Sequence, residues 1–155
     1  MVTFKKNERL ANFRLRTLLF KKGKLFFQYP VRVIYLCMPR EKCSEMFSDK
    51  QSVPASGLFP SPAKCLIGVS GRQIKGAVDR NHLKRLVKEA YRQNKSQLYS
   101  FLEKRNAVCM LALIYAVDKK MPYAAIENSV QKSLLKLQEK IEDDGLQELH
   151  ASNQN

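Results

Sequence analysis

The sequence predicts an α+β fold, with helices packed on one mainly antiparallel sheet. Three observations carry the prediction. Apolar residues recur with helical period over 12–22, 77–95 and 122–141, while runs rich in Val, Ile and Tyr read as strands. The segments come in the order helix, two or three strands, helix, strand, helix. One run, 107–117, is almost continuously apolar, as a central strand buried on both faces should be. With 155 residues, 45% of them hydrophobic, the chain can fill a single core.

The first helix spans 12–22, with Asn12 placed to cap its start and Gly23 to stop it. Leu15, Leu18 and Leu19 form its core face. Phe13, Arg16 and Phe20, at i, i+3 and i+7, fall on a separate face. A short strand follows at 25–28 and a clearer one at 29–38. Alternation in the second puts Val31, Val33 and Tyr35 on one side and Arg32 with Ile34 on the other. Residues 39–63 are polar and hold Pro39, Pro54, Gly57, Pro60 and Pro62, so a long mobile insertion loop is expected. A strand at 63–70 and a basic loop, 71–76, lead to a helix from 77 to about 95. After the strand at 107–117, Pro122 suits the first turn of a last helix, whose core stripe is Ile126, Val130, Leu134, Leu137 and Ile141. One domain over 5–141 is expected, then an acidic, disordered tail over 142–155.

Charge points to the partner. The chain carries 28 Lys and Arg against 14 Asp and Glu, a net +14, which calls for a polyanion, nucleic acid before an acidic membrane surface. Residues 1–24 hold eight of the cations and a single acid, Glu8. No apolar run reaches the roughly 20 residues that span a bilayer. The start, Met-Val-Thr-Phe-Lys-Lys, lacks the apolar core of a secretory signal, so a cytoplasmic location is expected. Of the four cysteines, Cys37, Cys65 and Cys109 sit in strand-like runs and read as buried free thiols, whereas Cys43 lies in the polar segment.

The helix over 77–95 is the most informative segment. Leu83, Leu86, Val87 and Ala90 share one side, and Arg80, Lys84, Lys88 and Arg92 recur every four residues on the other, with Asn81 and Arg85 beside them. A solvated face usually mixes its charges. Here only Asp79, in the first turn where the helix dipole favours an anion, and Glu89 interrupt the cations. Such a row raises the free energy of the helix on its own, and an external polyanion would relieve it.

The run Gly76-Ala77-Val78, then Arg80-Asn81-x-x-Lys84-Arg85, then Glu89-Ala90-Tyr91-Arg92 resembles the signature helix of the bacterial ribonuclease P protein subunit. The resemblance extends over roughly residues 5–140. It implies an α-β-β-β-α-β-α two-layer domain of the ribosomal protein S5 domain 2-like type, with a left-handed βαβ crossover. It also implies a division of labour. In that holoenzyme an RNA subunit is the catalyst and removes the 5′ leader of precursor tRNA by hydrolysing a phosphodiester. The Mg2+ required is held mainly by RNA. The partners implied are the catalytic RNA and precursor tRNA, with no membrane and no obligate protein partner.

The residues offer little for chemistry of their own. The two histidines, His82 and His150, have no cysteine or carboxylate at metal-ligand spacing, and no phosphate loop, nucleophile elbow or HExxH motif is present. Asp79 and Glu89 would lie about 15 Å apart along one helix, too far to share a phosphate. The expectation is a chain that binds, with no catalytic residue and no metal of its own. Two surfaces are assigned. Arg72, Lys75, Arg80, Asn81, Lys84, Arg85, Lys88 and Arg92 are expected to pack on catalytic RNA, with Asn81 either capping the helix or bonding a 2′-hydroxyl. Phe13, Arg16, Phe20 and Arg32 are the candidates for a cleft between the first helix and the sheet that takes the single-stranded leader, aromatics stacking on bases and cations tracking the backbone. For Phe13 and Phe20 the competing reading is a second buried edge of the first helix. A ribosomal or ribosome-assembly RNA-binding protein would explain the charge, size and fold equally well, but not the ordered run of the signature helix. A DNA-binding regulator would need a helix-turn-helix spacing that does not precede the basic helix.

Overall fold

A computed structural model describes residues 3–46 and 59–145. A 3-10 turn at Lys6–Glu8 leads into α1 (Phe13–Lys22), β1 (Lys24–Gln28), β2 (Val31–Pro39) and α2 (Arg40–Met46). Then come β3 (Ala63–Val69), α3 (Ala77–Asn94), α4 (Ser96–Lys104), β4 (Ala107–Tyr115) and α5 (Tyr123–Lys140), with a π turn over Ile141–Gly145. The sheet order is β1-β2-β4-β3, with β1–β2 and β2–β4 antiparallel and β3–β4 parallel. The expected α+β topology is therefore present, with two short helices added to it.

Each sheet face seals its own apolar cluster. On one face Phe26, Val33, Tyr35, Cys65, Ile67, Leu111 and Leu113 meet the buried sides of α3, α4 and α5. The stripe expected on the last helix is buried throughout: Ile126, Val130, Leu134, Leu137 and Ile141. Each such side chain stabilises the fold by roughly 1.5–3 kcal/mol relative to leaving it exposed. On the other face Leu15 and Leu19 of α1, with Cys43 of α2 and Phe59, cover Met38, Val108, Met110 and Ala112. β4 is the strand buried on both faces, as its apolar run requires.

α1 begins and ends as its sequence dictates. The Asn12 side-chain carbonyl accepts the Leu15 N–H at 3.1 Å, and the Gly23 N–H closes the last turn on the Leu19 carbonyl at 2.7 Å. Gly23 is required for space and not for an unusual backbone angle, since its φ is −69°. A Cβ there would lie 2.4 Å from the Leu19 carbonyl oxygen and 3.0 Å from the Ile34 Cγ2.

Some expectations need correction. The second strand starts at Val31; Tyr29 and Pro30 form the turn and are joined by a cis peptide bond. The segment over 39–63 is not one loop: Pro39 ends β2, residues 40–46 form α2, Phe59 is buried and Ala63 opens β3. Its centre, 47–58, lies outside the described residues, as does the tail from 146. Cys43 is not in a polar loop but is the buried anchor of α2. α2 left no periodic signal because, among its described side chains, Cys43 alone is buried. α4 was hidden differently. Leu98 and Leu102 give it a buried stripe, but its N-cap, Lys95, is itself right-handed helical, so the break from α3 has no Gly or Pro to mark it.

Candidate nucleic-acid interface

α3 is held by its apolar side. Leu83, Val87, Ala90 and Tyr91 are buried, while Asn81, His82, Lys84 and Arg85 are exposed. The loop before it is pinned by buried Ile74, whose N–H donates to the Ser70 carbonyl at 3.0 Å, and it leaves Arg72 and Lys75 exposed. The cations grouped by spacing differ in their side-chain partners. Arg80 turns back, donating to the Ile74 carbonyl at 3.0 Å and the Lys75 carbonyl at 2.6 Å. Arg92 forms a two-pronged pair with Glu89, Nε to Oε2 at 2.8 Å and Nη2 to Oε1 at 2.5 Å. Those bonds, with one from Gln93, hold the Glu89 carboxyl down at about 2. Lys120 sits 3.4 Å from Asp79.

Among the described residues, Lys84, Arg85 and Lys88 make no ion pair. Burial, then the charges of Arg9 and Lys84, pushes the Lys88 ammonium below its usual range. Asn81 is not the helix cap: Gly76 holds that position, and Asn81 projects from the second turn into solvent.

The second surface follows from how α1 crosses the sheet. Just before α1, the Leu10 N–H donates to the Cys65 carbonyl of β3, and at the other end Gly23 abuts Ile34 of β2. The helix therefore lies over the cross-strand row Leu66–Ala112–Ile34. α2 occupies the flank toward the Pro39 end of β2, where Phe13, Thr17, Leu18, Lys21 and Met46 line a groove of about 430 Å³. At 100° per residue, Arg16 and Phe20 point to the opposite flank. On that side the next same-face row is Gly68–Ile114–Arg32–Phe27, read directly from the strand register.

Arg32 thus stands on the α1 face of the sheet, exposed, between Phe27 and Ile114. Phe13 and Phe20 are 73% and 52% exposed, so neither is a second buried edge of α1. Phe13, about 20° from Phe20 around the helix, also borders the groove beside α2. Sequence reasoning missed Phe27, which is 47% exposed and packs edge-on against Tyr29 with ring centroids 6.3 Å apart. The hairpin contained the signal. With a turn at residues 29 and 30, paired positions sum to 59, so Phe27 must face Arg32.

Among the described residues, no group of three or more His, Cys, Asp or Glu side chains is gathered to hold a metal ion. The arrangement can bind anionic, base-bearing polymers through charge and stacking.

The chain is similar to known proteins in both sequence and fold. The family model described as Ribonuclease P matches residues 4–138. Two curated relatives named ribonuclease P protein component, from Porphyromonas gingivalis strains ATCC 33277 and W83, are 31% and 32% identical over 118 residues, covering 76% of this chain and 74% of theirs. The solved Staphylococcus aureus RNase P protein shares the fold at TM-score 0.54 and 20% identity, over 84% of this chain and 94% of that one. The Thermotoga maritima RNase P protein does so at TM-score 0.54 and 19% identity, over 82% and 94%.

Proposed function

The chain belongs to the ribonuclease P protein family, and from that premise we propose how it works within the holoenzyme. Its partner RNA performs the hydrolysis that removes the 5′ leader of precursor tRNA, and the protein supplies two binding surfaces. The cations of α3 and its approach loop, exposed Arg72, Lys75, Lys84 and Arg85 with half-buried Lys88, neutralise phosphates of the catalytic RNA. Arg80 shapes the loop, and Arg92 is held by Glu89. The flank of α1 with Arg16 and Phe20, over a floor containing Arg32 and Phe27, takes the single-stranded leader. Phe13 extends that path over the crest of α1.

The observation that carries this reading is the separation of two cationic surfaces on opposite sides of one sheet. α3 packs on the face of Val33 and Leu111, and α1 on the face of Ile34 and Ala112. Two RNA segments can therefore be held at once without competing. The protein is proposed to leave Mg2+ to the RNA and to offset phosphate repulsion where the leader meets it. The reaction belongs to the cytoplasm in this account, with precursor tRNA and catalytic RNA as the partners.

The test is binding of precursor and mature tRNA to the holoenzyme carrying Phe20→Ala. Phe20 is exposed, so the fold does not depend on it. Loss of one stacked base costs about 1–3 kcal/mol, roughly 5- to 150-fold in affinity. The loss should appear for the precursor and not for mature tRNA. Equal losses for both would remove the leader from this surface.

A further inference from the structure

The basic N-terminal segment has no role in the surfaces above, yet the fold ties it down. The Glu8 carboxylate is buried, accepts hydrogen bonds from the Lys95 ammonium and from the Tyr99 hydroxyl at 2.6 Å, and receives the Lys5 backbone N–H at 2.7 Å. The Lys95 ammonium also donates to the Thr3 carbonyl. Burial raises the Glu8 carboxyl, but the bonds from Lys95, Tyr99 and Lys5 outweigh it and hold the group below its usual range. Beyond the clamp, Arg9 forms an isolated parallel bridge with Cys65, extending the sheet past the edge of β3.

This clamp brings cations together instead of separating them. Phe4, carried on the same segment, packs edge-on against Tyr91 of α3 at 5.4 Å. The Arg9 guanidinium lies 5.7 Å from the Phe4 ring centroid and the Lys88 ammonium 5.9 Å from it. Lys95 approaches the same ring but is neutralised by Glu8. Arg9 and Lys88 have no carboxylate partner among the described residues. Two like charges brought beside one ring by a buried clamp raise the energy of the free protein. A bound anion would repay that cost.

We propose that Arg9 and Lys88 together grip the phosphate backbone of the catalytic RNA, and that the Glu8–Lys95 pair is a positioning device holding Arg9 at the edge of the α3 surface. The RNA face would then run from the approach loop along α3 and onto the N-terminal segment. The inference rests on the assignment of α3 to catalytic RNA.

The test is the salt dependence of catalytic-RNA binding for Arg9→Gln, Glu8→Gln and, as a control on the parent assignment, Lys84→Gln. Each phosphate contact contributes about 0.9 to the slope of log affinity against log salt. Arg9→Gln should lower the slope by about that much, so that roughly 3.5-fold less affinity is lost between 50 and 200 mM salt. Glu8→Gln separates positioning from bulk charge. It makes the protein more positive, so charge alone predicts tighter binding, whereas release of the segment predicts weaker binding and a lower slope. Arg9 is exposed, so its substitution reports even if the Glu8 variant fails to fold. A lowered slope for Lys84→Gln with an unchanged one for Arg9→Gln overturns this inference alone. Unchanged slopes for both overturn the α3 assignment as well.

Discussion

If the cations of α3 meet RNA phosphates, their contributions should divide by how each is already engaged. Lys84 and Arg85 are exposed and form no ion pair among the described residues. Arg92 is held by both oxygens of Glu89. Two double variants on the same helix compare these states. Lys84→Gln with Arg85→Gln removes two charges available for counterion release, which should lower the salt slope by about 1.8. Between 50 and 200 mM salt that amounts to about 12-fold less loss of affinity. Glu89→Gln with Arg92→Gln leaves the net charge unchanged and dissolves a pair that is already internally neutralised. Its slope should fall by well under 0.9, the value of one contact. The assay is equilibrium binding to the catalytic RNA at four or more salt concentrations, with circular dichroism confirming that each variant stays folded. Equal slope changes in the two double variants would refute the reasoning, because charge count and not availability would then govern binding.

Other outcomes follow from the same geometry. Phe27→Ala should reproduce the selective loss of precursor affinity expected for Phe20→Ala, by about 5- to 150-fold; full retention in precursor-binding titrations would take Phe27 out of the cleft floor. Gly23→Ala forces a Cβ to within 2.4 Å of a backbone carbonyl, an overpacking that costs roughly 1–3 kcal/mol. A thermal melt should show Tm lower by about 2–12 °C, and an unchanged Tm would mean that the turn yields freely. The Glu89 carboxyl is depressed to about 2 from an ordinary value near 4.5. Its pairing therefore stabilises the fold above pH 4.5 and is lost as pH falls toward 2. Denaturation midpoints of wild type and Glu89→Gln should differ most near pH 6 and converge near pH 2, by a small margin because water still reaches and screens the half-buried pair. A gap that widens in acid would contradict this.

Much of this was legible because one face of each element carries a clear period. Asn12 and Gly23 bounded α1, alternation separated Arg32 from Val31 and Val33, and the five-residue stripe running from α5 into the π turn is buried as expected. What failed to show is long-range or singular. Among the described side chains of α2 one cysteine alone is buried, so no pattern announced it. α4 was concealed by a helical junction that needs no special residue. Sequence spacing grouped seven cations on α3 and its loop, but not which of them bend back to the Ile74 and Lys75 carbonyls or to Glu89. That depends on rotamers, and rotamers depend on packing. Phe13 shares a helical stripe with Phe20 and also borders the groove beside α2, which spacing within α1 could not show. The Glu8–Lys95 clamp joins groups 87 positions apart, and no local pattern can specify such a pair.

The central claim is that this chain binds so that its partner RNA can cut. The most direct measurement is cleavage of a precursor tRNA at low magnesium by the cognate catalytic RNA, with the protein, without it, and by the protein alone. The account predicts accurate 5′ cleavage restored by the protein, and none from the protein by itself. Cleavage by the protein alone, or RNA binding that leaves the low-magnesium reaction unchanged, would contradict it.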